Sequence, residues 1–521
     1  MNRKTQSIFV LALFFIIQNS SLLVGQISVS NLTEYQVGNL PDTDPKNMTS
    51  LYDQLNLDYY NRDLAIGVRF ESFGSSQLDK KYNKFTQRYL EWQKDWFRIR
   101  IGNFYGILGR GLVFRAFELP GVVKEDARNR MRFGLSRVAD GFIAEAKTDL
   151  LEVTMLRGES LDSNLPPSIE DNNRSIGIVE GGELKLRPLN YLSFGGTYAR
   201  YTLANEKKYE VSSGILDLSI GQFLEKISLN DVIFDFYGEY AQKQPALENY
   251  ISTSSKHPHA LYISTNLIFG GFGFSAEHKD YHDFNFLMND PPPLMKEHSF
   301  YLLNRSTHVL RPENEKGNQF EATYTFLCGS SINANYTTAL NRSPYMKDAK
   351  YHVEEKFLEG DIYFGENFLT KFFVDKSKDG FELVEDRFTF GLAWEYQFQD
   401  YNSINFEFQG QETEKTYEFA PNKKKYKDFY GSISYSRSPK FAIALIGQRT
   451  GDPEETGDYT TLEIETKAKN LFSLNINYQL TPEHELFIFY GKRRGGWACT
   501  AGTCYEVLSF EGFEIRLLSR L

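Results

Sequence analysis

Beyond its first 25 residues the chain has no apolar run approaching the 18 or so consecutive residues that a membrane-crossing helix needs. Helical membrane spans are therefore excluded. Cysteine is scarce, three in 521 residues, too few for a disulfide-built scaffold or a cysteine-rich metal cluster. No GxSxG, HExxH, Walker or CxxC motif occurs. His298-Ser299 is no dyad, because neighbours on a strand point to opposite faces. No enzyme and no cofactor is expected. Positive charge is in deficit, 58 Lys and Arg against 68 Asp and Glu for a net of −10. That balance argues against nucleic acid as a partner. Sustained 3.6-residue periodicity is also missing.

What is present is aromatic and alternating. Phe and Tyr number 43 and 32, yet mean hydropathy is −0.43. That combination suits strands whose two faces meet different solvents. Period-two segments run throughout: LAIGVRFESF (64–73), VIFDFYGEY (232–240), INFEFQGQ (404–411), LFSLNINYQL (471–480). Short connections (94–95, 148–149, 188–190, 270–271, 438–439, 481–483) alternate with long polar ones (159–175, 285–317, 341–355, 413–426, 449–468, 494–508). The pattern predicts an all-β, transmembrane, antiparallel up-and-down barrel of roughly 20–26 strands, about 24 as the best count. The segment ISVSNLTEYQV (27–37) reads as a poor strand. A soluble propeller or sandwich would need a repeat of about 40–50 residues or a dry core face, and no such repeat is visible.

The N-terminus has a basic start (Arg3, Lys4), an apolar run Ile8–Ile17 and a small residue, Gly25. This is the layout of a cleaved secretory signal over residues 1–25, with 26–521 as a single barrel. At the other end Phe513, Ile515, Leu517 and Leu521 share a face, while Glu514, Arg516 and Arg520 share the opposite one. That ending resembles the signal read by the barrel-assembly machinery, an expected partner along with outer-membrane lipid and lipopolysaccharide. Placing Arg or Lys on the lipid face at midplane costs about 2–4 kcal/mol. Arg98 and Arg100 should therefore face inward, opposite Phe97, Ile99 and Ile101. The same reasoning sends Glu183, Lys185, Asp235 and Glu239 inward.

Two long connections, near 105–139 and 285–317, contain apolar residues that a solvated loop does not need. Both are expected to fold into the barrel and narrow it. They carry Arg110 and Arg115 in the first, and Glu297, His298, Arg305 and His308 in the second. With Arg98 and Arg100 these form the candidate pore lining. His298 and His308 could also be metal ligands or members of structural salt bridges, but a ten-residue spacing is not a tight ligand motif. Cys499 and Cys504 are close enough for a disulfide across a short loop, and zinc is the alternative. The expected function is a porin-like channel for small hydrophilic solutes. The alternative is a non-conducting barrel that acts as a structural partner in an envelope assembly or secretion complex.

The runs GNFYGILGRGLVFRAFELPG (102–121), NDPPPLMKEHSFYLLNRSTHVL (289–310) and GGWACTAGTCYEV (495–507) with FEGFEI (510–515) resemble a Bacteroidota outer-membrane β-barrel family with no assigned activity. The resemblance spans most of the chain and implies the outer membrane of a Gram-negative cell. The Gly/Arg run is also distantly similar to a porin segment that precedes a constriction arginine.

Overall fold

The computed structural model describes residues 25–521 except 77–79, 127, 129, 222–231, 246–256, 287, 310–312, 343–349, 399–400, 418–422, 458–467 and 501–502. The expected leader, Gly25 apart, lies outside the described residues. Twenty-four strands form one antiparallel sheet that follows chain order. The sheet closes because the first strand, Gln26–Asn39, pairs with the last, Phe510–Arg520, from Ser30 opposite Arg520 to Asn39 opposite Glu511. Closure leaves no unpaired edge, the condition for strands to sit in lipid.

The alternation follows from two solvents. Ile101, Leu184, Phe194, Phe408 and Leu445 lie on the outer face and are exposed. Arg98 stands opposite Glu145, Glu145 opposite Thr154, and Thr154 opposite Glu183, so all four share the inner face. Toward one rim the outer apolar belt gives way to paired charges, such as Lys376 with Asp386 and Arg200 with Glu210.

The connections differ at the two ends. Residues 62–63, 95–96, 190–191, 270–271 and 482–483 make tight turns at the end where both termini lie, whereas 105–138, 283–313 and 494–509 lie at the other. One connection at the short-turn end, 220–231, is long; most of it lies outside the described residues. Exposed Cys328 sits in the turn 326–330, also at the short-turn end.

The segment 27–37, a poor strand by sequence, is the closing strand. Its outward alternation is broken by Asn31 and Thr33. Both bond Asp53 Oδ1 on the next strand, at 3.0 and 2.7 Å. A neighbouring carboxylate satisfies the polarity that obscured the pattern. A second difference lies within the first long connection. It contains short strands of its own, Gly106–Leu108, Phe114–Glu125 and Arg132–Arg137.

Candidate functional site: the inner wall and its docked segments

The barrel strand Phe97–Phe104 carries Gly102 at φ +98°, where a Cβ would lie 2.3 Å from the Arg88 carbonyl oxygen. Only glycine tolerates both the angle and the approach. Past Phe104 the chain turns onto the inner wall. Two wall carboxylates hold its backbone: Gly109 N–H donates to Glu183 Oε2 at 2.5 Å and Arg110 N–H to Glu239 Oε2 at 2.9 Å. Leu108, Leu112, Val113 and Phe114 are fully buried against Ile143, Val211, Ile215 and Tyr237 of the wall. The inner face beneath the segment thus mixes apolar side chains with the two carboxylates that hold its backbone. Burying an apolar side chain of this kind contributes about 1.5–3 kcal/mol relative to leaving it exposed.

The far end of this segment docks at the seam between the first and last strands. Met131 and Phe133 pack on Leu32, Tyr52, Phe73 and Tyr82. Between them, buried Arg132 pairs with Glu34 of the first strand. Arg516 reaches Glu34 at 2.5 Å and Arg493 reaches Glu514 at 3.0 Å. The roof of the segment is tied down by Arg69 to Glu118 at 2.6 Å and by Tyr105 O–H to Glu118 at 2.8 Å.

The second segment continues around the wall. Arg115 and Asp290 bridge the two segments at 2.7 Å, and Arg137 donates to the Asn289 carbonyl at 2.9 Å. Burial raises the Asp290 carboxyl above its usual range, against the lowering pull of Arg137 and Arg115. Phe300 stacks on Phe373 in a cluster that includes Phe357, and Met295 fits over Ala339 and Val353. His298 Nε2 meets Glu355 at 3.1 Å. His308 is clamped on both nitrogens, Nδ1 to Asp379 at 2.6 Å and Nε2 to Glu315 at 3.1 Å. Lys279, itself buried, reaches the other Glu315 oxygen at 2.6 Å. Burial alone would depress His308, but the hydrogen bonds to Asp379 and Glu315 outweigh it and push the imidazole up to about 9.

A single helical turn, Tyr301–Asn304, follows. Arg305 then donates to the carbonyls of Gly496 and Trp497 at 3.1 and 3.3 Å. Those belong to a hairpin, Gly496–Thr500 with Thr503–Val507, across which Cys499 and Cys504 are joined as a disulfide. Arg494 anchors the hairpin base to Asp428 and Asp452 at 2.8 and 2.9 Å.

The eight residues singled out from sequence thus fall into distinct settings. Arg98 pairs with Glu145 at 2.7 Å and Arg100 lies 3.6 Å over the Tyr89 ring, both partly accessible on the inner face. Arg110 is exposed, its guanidinium 4.7 Å from the Tyr237 ring centre. Glu297 is exposed. Arg115 and Arg305 join one docked piece to another. His298 and His308 are buried, held by different carboxylates and not brought together. Among the described residues no group of three or more His, Cys, Asp or Glu converges as a metal site would. Arg132, Arg494 and Asp290 were missed: nothing local in sequence sets them apart, because their partners lie dozens to hundreds of positions away.

Solved barrels of similar outline include OccK5 (OpdH) of Pseudomonas aeruginosa (13% identity, 68% of this chain and 93% of that one, TM-score 0.39). The outer membrane protein OprD of the same organism is comparable (12%, 74% and 94%, TM-score 0.38). Both likenesses are too loose to argue from. The E. coli P pilus tip assembly intermediate PapC-PapD-PapK-PapG matches over 95% of this chain and 60% of its own, at 9% identity and a TM-score of 0.51. At that identity it supports the fold alone. A search of curated proteins finds no match. A family profile does match, over residues 1–521, and the chain belongs to DUF6029, a family of unknown function.

Proposed function

We propose that the chain is an outer-membrane channel for small hydrophilic solutes, narrowed by the segments 105–138 and 283–313. The observation that carries this reading is the division of the inner wall. Where the segments dock, the wall is buried. Toward the short-turn end it carries accessible charged pairs, among them Arg98 with Glu145, Lys147 with Glu152 and Lys371 with Asp361. Charged side chains stay accessible on an inner face only if water reaches them. Arg98, Arg100 and Arg110 then line the path beside Glu145, Glu91 and Glu277, so a polar solute meets charge of both signs along one wall. The exposed apolar belt supports contact with lipid, and the paired charges above it support contact with the phosphates of lipopolysaccharide. The alternating terminal strand supports recognition by the assembly machinery.

A second reading, a closed barrel that acts as a structural partner in an envelope assembly or secretion complex, is favoured by how completely the segments cover the wall beneath them: Phe114, Val211 and Glu315 have 0% exposure. Conductance of the purified barrel in a planar bilayer separates the two. Stable ion-conducting steps are expected, and a silent barrel would overturn the channel reading. In the double variant Arg98→Gln with Arg100→Gln, reversal potentials in a salt gradient should shift toward cation preference. Stability should fall by no more than about 2 kcal/mol, because two pairs are removed and each such part-exposed pair contributes roughly 0–1 kcal/mol.

A further inference from the structure

Below the first segment, toward the short-turn end, the inner faces of the first five strands and the last enclose a cavity of about 440 Å³. That volume falls within the range of small-ligand pockets, about 300–1,000 Å³. Its chemistry is narrow. The formal charges that line it are largely matched: Arg69 is held by Glu118 at 2.6 Å, and Arg100 faces Glu91 at 3.5 Å. Asp58 accepts from the Tyr89 hydroxyl at 2.7 Å, and Arg520 contributes the opposite charge at the mouth. An ionic solute would have to compete with the Arg69–Glu118 and Arg100–Glu91 pairs for its counter-charge, so the interior of the cavity offers little to a carboxylate or an ammonium group.

It does offer flat surfaces and neutral hydrogen-bonding groups. The Tyr89 ring lies against Gly67, where a Cβ would come within 2.2 Å of it. On that ring the Arg100 guanidinium stacks as a plate, 3.6 Å from the ring centre. Tyr60, 45% exposed, supplies an accessible ring at the mouth. The amides of Asn56 and Gln87 are held in fixed orientations, Asn56 by Ser30 and Arg69 and Gln87 by Tyr105. A hydroxyl-rich ring with apolar C–H faces is the neutral solute that uses both features. Its faces lie on planar side chains, and its vicinal hydroxyls meet amides that donate and accept side by side.

Resting on the channel reading above, we infer that this cavity is a subsite for a neutral saccharide of two or three rings, with Tyr60 as the platform and Asn56 and Gln87 as hydroxyl partners. The test uses the full-length purified barrel with maltotriose and cellotriose as probes, and succinate and arginine as charged comparators. In the bilayer, at least one trisaccharide should reduce the potassium chloride current saturably, and neither charged solute should do so at equal concentration. The half-blocking concentration should rise about tenfold in Tyr60→Ala, a 1.4 kcal/mol loss, and return toward wild type in Tyr60→Phe, which keeps the ring. Calorimetric titration of the detergent-solubilised barrel with the same trisaccharides reads the site without needing current. Conduction without trisaccharide block or heat, or equal block by succinate, overturns the saccharide assignment and leaves the channel intact. A silent barrel that still binds trisaccharide overturns the channel and leaves the subsite.

Discussion

Replacing Arg132 with alanine is expected to destabilise the barrel by about 3–5 kcal/mol, the range for removing one partner from a buried ion pair. Arg132 is 5% exposed and its partner Glu34 0%, with Glu514 beside it at 1%. Arg516 and Arg493 hold the two carboxylates from the wall side. Arg132 approaches Glu34 from the docked segment. The measurement is the temperature at which the folded band disappears on a semi-native gel, checked by a urea midpoint. Arg132→Lys should recover only part of the loss, because an ammonium lacks the planar fork that meets a carboxylate. A change below about 1 kcal/mol, the scale of an exposed pair, would mean that Arg516 and Arg493 suffice.

The second large effect is on pH dependence. His308 has a folded pKa of about 9 against an ordinary value of 6.5. A cation held this way contributes stability that is complete below about pH 6.5 and is lost as pH rises through 9. At 1.36 kcal/mol per unit, the contribution at stake is roughly 3 kcal/mol. The groups facing His308 are Asp379 and Glu315, with Lys279 on the far side of Glu315, Asn341 beside it and Arg387 near Asp379. Once the imidazole is neutral, Asp379 loses the cation that faces it directly. The segment 283–313 should then loosen, and trypsin should reach Lys296 and Arg305 increasingly between pH 6.5 and 9. In His308→Gln, cleavage should already be faster at pH 6.5, with the extra pH slope gone. Parallel slopes in the two proteins would count against the clamp.

How much of this was legible in the sequence depends on the range over which each feature acts. Alternation is a local property, and it alone places Arg98, Arg100, Glu183 and Glu239 on the inner face. The strand number followed because turns announce themselves in two or three residues. Alternation misled where a face met something other than its usual solvent. The closing strand hid behind Asn31 and Thr33, whose polarity is answered by Asp53 one strand away. On the inner wall beneath Leu112 and Phe114, Ile143, Val211 and Ile215 stand on a face that would otherwise be polar, because a docked segment replaces water there. His298 and His308 stood out by residue type, but their settings are decided by Glu355, Glu315 and Asp379, and for two of these three the separation in sequence exceeds 50 residues. No local pattern encodes such pairings.

The seam also bears on how the ring comes together. Glu34, Arg132 and Glu514 come from the start, the first third and the end of the chain, and they meet only when the last strand lies beside the first. The segment that carries Arg132 is already folded back on early strands, with Met131 and Phe133 on Leu32, Tyr52, Phe73 and Tyr82. All of those buried partners lie within residues 32–133, and Leu518 of the last strand joins the cluster only at its partly buried edge. The segment can therefore dock on the early strands before the last strand closes the ring, and need not be threaded through a finished one. A chain truncated before Phe510 should still protect residues 131–133 from protease while failing to close. Loss of that protection would reverse the order.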